Sequence, residues 1–285
     1  MNNTDLIEKL RSCQKVAVFT GAGMSAESGI PTFRDAQTGL WAKFNPQEVA
    51  STEAFRKSPQ LVWDWYVHRA EFVRSADPNP GHMAVAELQG LVPEVTVITQ
   101  NIDNLHQRAG TNNVLELHGS MFRLKGFVDP EELIHPNYDR EICPLCYGYA
   151  EQDTCDPFAT KADLAAIEIR AGAVPSCPRC GSLLRPDIVW FGEALDPRIL
   201  AAAMSAADNC DLMICVGSSL EVQPAGSIPV RAKRTGATII EINPEQTSLS
   251  EHADLFLKGK AAEFFPALVD SVWKTSDAPS SRQLP

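Results

Sequence analysis

The chain has 285 residues, 44% hydrophobic and 21% charged, with a formal net charge of −11 and a mean hydropathy of −0.14. That composition supports a sizeable core in one large domain, or a large one plus a small one, and the acidic balance argues against general nucleic-acid binding. No apolar run reaches the length of a membrane span, and the opening MNNTDLIEKLRSC has neither the apolar stretch nor the cleavage site of a secretory leader, so no membrane partner and a cytoplasmic location are expected.

The first strong element is KVAVFT (15–20), a continuous apolar strand that runs into Gly21, Ala22, Gly23, Ser25 and Ala26 with G-x-G-x-x-A spacing. A glycine turn of this kind lets the backbone approach a pyrophosphate; it is also an ordinary tight turn. A dehydrogenase would carry an acid at the end of a second strand about 20 residues on. Here that region reads GLWAKFNPQ, so the hydride-transfer layout is absent. Residues 36–79 read as helical, most clearly 60–73. There Val62, Trp65, Tyr66, Arg69, Phe72 and Val73 share one broad stripe. Arg69 is thus a cation on a face expected to be buried, which calls for an anion, an internal acid or snorkelling to solvent.

A second strand at 95–99 is followed by Gln100, Asn101, Ile102 and Asp103, and a short one at 114–117 by His118. Carboxyl ends of parallel strands bind ligands in open α/β sheets, although Asn and Asp are also ordinary helix caps. Histidine titrates near neutral pH, so His118 is a candidate base, with a structural role at a strand end as the plainer reading. Residues 123–183 are rich in Cys, Pro and Gly. Cys143 and Cys146 form CPLC, and Cys177 and Cys180 form CPRC, 30 residues beyond. Two such knuckles point to a closed, structural zinc site, with two redox pairs as the lesser reading. Further strands are expected at 187–191, 212–217, 238–242 and 254–258, with helices at 197–207 and 225–235.

Together these elements predict an α/β fold: a doubly wound, parallel, Rossmann-like sheet from 10–35, 80–122 and 184–272, with 36–79 and 123–183 inserted as a smaller helical and zinc-binding domain. Residues 273–285 are polar and Pro/Ser-rich and are expected to form a loose tail. The sequence carries no signal for an oligomeric state.

GAGMSAESGIPTFR (21–34), TQNIDNLHQRAG (99–110), LELHGS (115–120), RPDIVWFGE (185–193), VGSSLEVQPA (216–225) and INPE (242–245) stand in the order found in sirtuins. Over roughly residues 10–270 the chain resembles that family of NAD-dependent protein lysine deacylases. The resemblance implies a reaction that splits the nicotinamide–ribose bond of NAD and moves an acyl group from lysine to ADP-ribose. It implies that His118 serves the ribose hydroxyls as base, and that Asn101, Ile102 and Asp103 belong to the nicotinamide pocket. Gln100 would touch the nicotinamide ribose. Phe33 would shield the sugar and Arg34 would meet the phosphates or order the loop. Gly217, Ser218 and Ser219, then Asn243 and Glu245, would receive the adenosine half, with Lys260 and Ala261 on the adenine side. Val189, Trp190, Phe191, Gly192 and Glu193 would pair with the backbone of an acylated lysine peptide by strand addition.

WYVHR (65–69) matches the Tyr-x-x-Arg of sirtuins that prefer acidic acyl groups, so Tyr66 and Arg69 are expected to bind the carboxylate of succinyl- or malonyl-lysine, with acetyl also accepted. The first cysteine knuckle stands 25 positions after His118, farther than is usual in the family; RLKGFVDPEELIHPNYDREI is an apparent insertion. Two other functions remain open on this scaffold: mono-ADP-ribosyl transfer, and a non-catalytic module that binds NAD or acyl-peptide.

Overall fold

The continuous Val/Ile runs close into one parallel sheet. The computed structural model describes residues 3–31, 49–127 and 168–274. Its strands there are β1 (Lys15–Thr20), β2 (Glu94–Thr99), β3 (Val114–Glu116), β4 (Gly119–Gly126), β5 (Leu184–Ile188), β6 (Leu212–Val216), β7 (Thr238–Asn243) and β8 (Leu255–Lys258). Six of them pair in the order β3-β2-β1-β6-β7-β8, all parallel. Counted within the sheet this is the 3-2-1-4-5-6 order of a doubly wound fold, in which the winding reverses between the first and fourth strands, here β1 and β6. The inner strands are buried along almost their whole length, as unbroken apolar runs covered on both faces require.

The helices are α1 (Asn3–Arg11), α2 (Thr52–Lys57), α3 (Pro59–Ser75), α4 (Pro80–Leu88), α5 (Leu105–Arg108), α6 (Pro197–Asn209), α7 (Ile228–Arg234) and α8 (Ala261–Val269). The chain divides into two units. One comprises Met1–Arg34, Ala76–Leu117 and Asp196–Pro285 and holds the parallel sheet; the other comprises Asp35–Ser75 and His118–Leu195. In the sheet unit, Leu6, Leu10, Val85, Leu88, Phe265 and Leu268 from α1, α4 and α8 pack with Val16, Val18, Val97 and Ile214. In the smaller unit, Trp63 and Val67 of α3 pack with Leu124, Cys177 and Leu184.

Two sequence expectations change here. The run 187–191 is not a strand of the parallel sheet. The strand is 184–188, and it pairs antiparallel with β4 in a separate two-stranded sheet. It ends because the chain turns: Trp190 N–H is taken by the Glu193 carboxylate, Glu193 N–H returns to the Trp190 carbonyl, and Gly192 sits at φ +87°. On α3, Phe72 is exposed, whereas Trp63, Val67 and Ala70 are buried. The helix is covered on more than one side, so its apolar stripe is broader than a single amphipathic face.

Helix α4 opens with a reciprocal cap. The Asn79 side chain accepts from the Gly81 and His82 N–H groups, and the His82 ring accepts from the Asn79 N–H. His82 and His106 are both buried, with rings 4.9 Å apart, edge to face. Burial pulls the His82 imidazole down to about 4. Burial, and then the neighbouring His82, pull His106 well below the ordinary range. Unfolding returns both rings to about 6.5, so the unfolded chain binds more protons below that pH and stability falls as pH drops from about 6.5 toward 4. Urea unfolding across that window is expected to show this loss, and His82→Gln is expected to flatten it by up to about 1.4 kcal/mol per pH unit. An unchanged slope in the variant would contradict the assignment of His82 as a buried neutral ring.

Candidate active site

β1 and β6 end in glycine turns that lie against each other. Gly21 N–H donates to the Val216 carbonyl at 3.0 Å and Gly23 N–H to the Gly217 carbonyl at 2.8 Å. A Cβ on Gly21 would stand 2.8 Å from the Gly217 carbonyl oxygen, and one on Gly23 2.7 Å from Gly217 Cα. Gly217 is at φ +59°, and its Cβ would stand 2.4 Å from Met24 N. The glycines are therefore demanded by the approach of two turns of the chain itself, a reason the sequence reading lacked. Nor does a regular helix follow the first turn. Ala22–Met24 and Ala26–Ser28 are single 3-10 turns, closed by Gly29 in the left-handed region at φ +82°. Ala22 is exposed and Ser25 is buried.

The loop after β2 bonds onto this turn. Asn101 Nδ2 donates to the Gly21 carbonyl at 3.0 Å and to Ser25 Oγ at 3.2 Å, while Ser25 Oγ donates to Asp103 Oδ2 at 2.7 Å. Leu105 N–H donates to Asp103 Oδ1 at 2.9 Å, so Asp103 also serves the start of α5. Burial pushes the Asp103 carboxyl up from its ordinary range, and the Leu105 and Ser25 bonds pull it back only in part. Ile102 is half-buried between the two polar residues.

Beneath them lies a set that sequence reasoning missed. Thr20 and Thr99 end β1 and β2 in register. Thr20 Oγ1 donates to Thr99 Oγ1 at 2.8 Å and lies 3.0 Å from His106 Nε2, and Asn101 N–H donates to Thr99 Oγ1 at 3.0 Å. The available signal was a threonine closing each of two apolar runs just before the polar loops.

On the β6 side, Gln100 Nε2 donates to the Ser218 hydroxyl at 2.8 Å and Asn243 Nδ2 to the Ser218 carbonyl at 3.0 Å. Gln100, Asn101, Asp103, Ser25, Gly21, Gly23, Gly217, Ser218 and Asn243 thus form one bonded patch at the carboxyl edge of the sheet. Ser219, Glu245 and Lys260 are exposed, and Ala261 is buried at the start of α8. A dinucleotide suits this donor set. The patch stands at the reversal point of the winding and presents backbone without side chains at three glycines. Amide and hydroxyl groups flank them, with a buried carboxyl at one end.

The smaller unit holds the remaining expected residues. His118 is half-buried, and its carbonyl accepts the Val189 N–H at 3.0 Å. Gly119, the next residue, is at φ +76°, and a Cβ there would stand 1.9 Å from the Asp187 carbonyl oxygen, so the chain leaves His118 through a turn only glycine fits. Phe191 N–H donates to the Ala50 carbonyl at 3.1 Å. With Trp190 N–H on Glu193, the donors of 189–191 are all used within the unit. Trp190 and Tyr66 are buried; Phe191 and Gly192 are exposed, and Val189 and Glu193 are half-buried. Arg69 is half-buried with its guanidinium 5.5 Å from the Trp65 ring centre.

Phe33, Arg34, Cys143 and Cys146 lie outside the described residues. Cys177 and Cys180 lie on a tight turn: Cys177 N–H donates to the Ser182 carbonyl at 2.8 Å and Gly181 N–H to the Cys177 carbonyl at 2.9 Å, with Gly181 at φ +76°. The tight turn carries both thiols of the CPRC stretch, a donor pair that fits zinc.

The Sir2 family profile matches residues 21–224. An NAD-dependent protein deacylase of Pyrococcus furiosus is 42% identical over 271 residues, covering 95% of this chain and 98% of its own. One of Methylococcus capsulatus is 40% identical, covering 94% and 96%. Among solved structures, a Sir2 homologue in complex with NAD is 40% identical with a TM-score of 0.77, covering 96% of this chain and 95% of its own. A Sir2 protein bound to a propionylated peptide is 29% identical with a TM-score of 0.69, covering 95% and 98%. Matched by the profile over most of its length, and by relatives over nearly all of theirs, this chain belongs to the Sir2 family.

Proposed function

We propose that the protein is an NAD-dependent protein lysine deacylase acting on acylated lysine peptides and proteins. The observation that carries this is the bonded patch at the reversal point: the glycine turns of β1 and β6, tied to Ser25, Asn101 and Asp103. Relatives matched end to end are named as NAD-dependent deacylases, and a matched structure holds NAD. NAD, when bound, supplies the nicotinamide–ribose bond that is broken and the ADP-ribose that accepts the acyl group.

The chain's own residues take the remaining tasks. Asp103 offers its carboxyl to a carboxamide N–H, held in one orientation by Ser25 and Leu105. Asn101 holds the glycine turn and the acidic loop together. Ser218 and Asn243 brace the side that takes the adenosine half, with Ser219, Glu245, Lys260 and Ala261 around it. His118 is the base for a ribose hydroxyl, and Phe33 and Arg34 cover the sugar and phosphates. Cys143, Cys146, Cys177 and Cys180 hold a structural zinc that pins the smaller unit, and the enzyme works in the cytoplasm.

We also infer a preference for acidic acyl groups. Tyr66 and Arg69 lie one helical turn apart on α3, where a buried phenol and a half-buried guanidinium suit a distal carboxylate. Arg69 against the Trp65 face keeps its flat donor fork in one plane, as bidentate carboxylate recognition needs.

Incubation with NAD and an acyl-lysine peptide is expected to release nicotinamide, O-acyl-ADP-ribose and free lysine, followed by mass spectrometry. His118→Tyr is expected to abolish turnover in a chain that still melts cooperatively. ADP-ribosylated protein in place of deacylated peptide would favour the transferase reading, and binding without products a non-catalytic one. Arg69→Met is expected to lower kcat/KM for succinyl-lysine by about tenfold or more, with a much smaller change for acetyl-lysine. Equal losses would defeat the acidic-acyl assignment.

A further inference from the structure

Arg185, on β5, has no part in the roles given above, yet it is 4% exposed. Its guanidinium lies 3.7 Å from the centre of the Trp190 ring, donates to the Ile188 carbonyl at 3.1 Å and forms an ion pair with Glu193. The other Glu193 oxygen accepts the Trp190 N–H at 2.9 Å. Burial pushes the Glu193 carboxyl up, but Arg185, Lys125 and the Trp190 N–H together outweigh it and hold the group below its ordinary range, so the clamp stays charged. Trp190 is thereby held at its backbone and across its face. Its indole Nε1–H donates to the Tyr66 hydroxyl at 2.9 Å, with the two rings nearly parallel at 6.3 Å and 19°.

An indole N–H can only donate, so the Tyr66 oxygen is the acceptor and the phenol proton must be given elsewhere. Among the described residues no protein group takes it. Burial pushes the phenol up, so it keeps that proton across the working range. A buried donor with no acceptor is costly, and a ligand oxygen would relieve it.

We propose that Arg185 is a positioning residue for acyl selection: through Glu193 and Trp190 it fixes the direction in which Tyr66 offers its proton, toward the distal carboxylate of an acidic acyl-lysine. The inference rests on the acidic-acyl reading above. Arg185 acts through Trp190 and does not touch the substrate. Lysine in its place could keep the ion pair but not the flat stack on the indole.

The test is the binding of fluorescent succinyl-lysine and acetyl-lysine peptides, read by anisotropy, with thermal melts alongside. Tyr66→Phe is expected to lower the succinyl-to-acetyl affinity ratio by about tenfold. Arg185→Lys is expected to lower it by about threefold or more, with acetyl-lysine binding within about twofold. The double variant should lose no more than Tyr66→Phe alone, because both act through one proton. Trp190→Phe, which keeps the ring and removes the donor, should lower the same ratio and carries the test should Arg185→Lys not fold. An unchanged ratio in a folded Arg185→Lys, or losses that add in the double variant, would overturn the proposal. An unaltered chain without succinyl preference sinks the acidic-acyl reading and this inference together. A preference sensitive to Arg69 but blind to Arg185 and Trp190 sinks this inference alone.

Discussion

The mutual approach of two glycine turns is the constraint on which the site depends. Gly21 and Gly23 after β1 and Gly217 after β6 pack so closely that no Cβ fits at any of the three positions. Everything on the carboxyl edge of the sheet is referenced to that contact. Asn101 bonds the Gly21 carbonyl, Ser25 follows the turn and bonds Asp103, and Ser218 follows Gly217 and receives Gln100. The parallel order supplies the frame: it brings the carboxyl ends of β1 and β6 side by side at the point where the winding reverses. Burial supplies the rigidity: Thr20, Thr99 and His106 fill the layer beneath with hydrogen bonds that have no competing water.

The smaller unit is organised around Trp190 in the way the sheet unit is organised around its glycines. The indole touches Phe55, Tyr66 and Arg185, and its backbone N–H is held by Glu193. Strand β5 delivers Arg185 and α3 delivers Tyr66 to the same ring. One aromatic side chain therefore links the turn at 190–193 to α3. Gly119 performs the analogous task at the same end of the β4–β5 pair, opposite Ile188, letting the chain turn away from His118 against the Asp187 carbonyl.

Much of this was legible in the sequence where one local cause decides the outcome. Unbroken runs such as VAVF and LMICV cannot face water on either side, so the parallel sheet and its edges follow from them. Polar residues just after such runs, Gln100, Asn101, Asp103 and Ser218, come together in the bonded patch at the carboxyl edge. What was not legible depended on contacts between distant segments. VWF at 189–191 looks like a strand, but the Glu193 carboxylate captures its N–H and turns the chain. Phe72 keeps helical spacing with Trp65 and Arg69, yet the cover over α3 comes from other directions. The glycines were correctly marked as a turn, while their cause, a second glycine turn some 190 residues away in the chain, can be seen only in the fold.

Calorimetric titration of ADP-ribose into Gly217→Ala, set beside the unaltered chain, tests the central claim most directly. A Cβ there meets Met24 N at 2.4 Å, so the two turns must separate and carry Asn101, Ser25 and Ser218 with them. Provided the variant retains a cooperative melt, its affinity for ADP-ribose should fall by about tenfold or more. A folded Gly217→Ala that binds ADP-ribose as tightly as the unaltered chain would show that the glycine contact does not build the site.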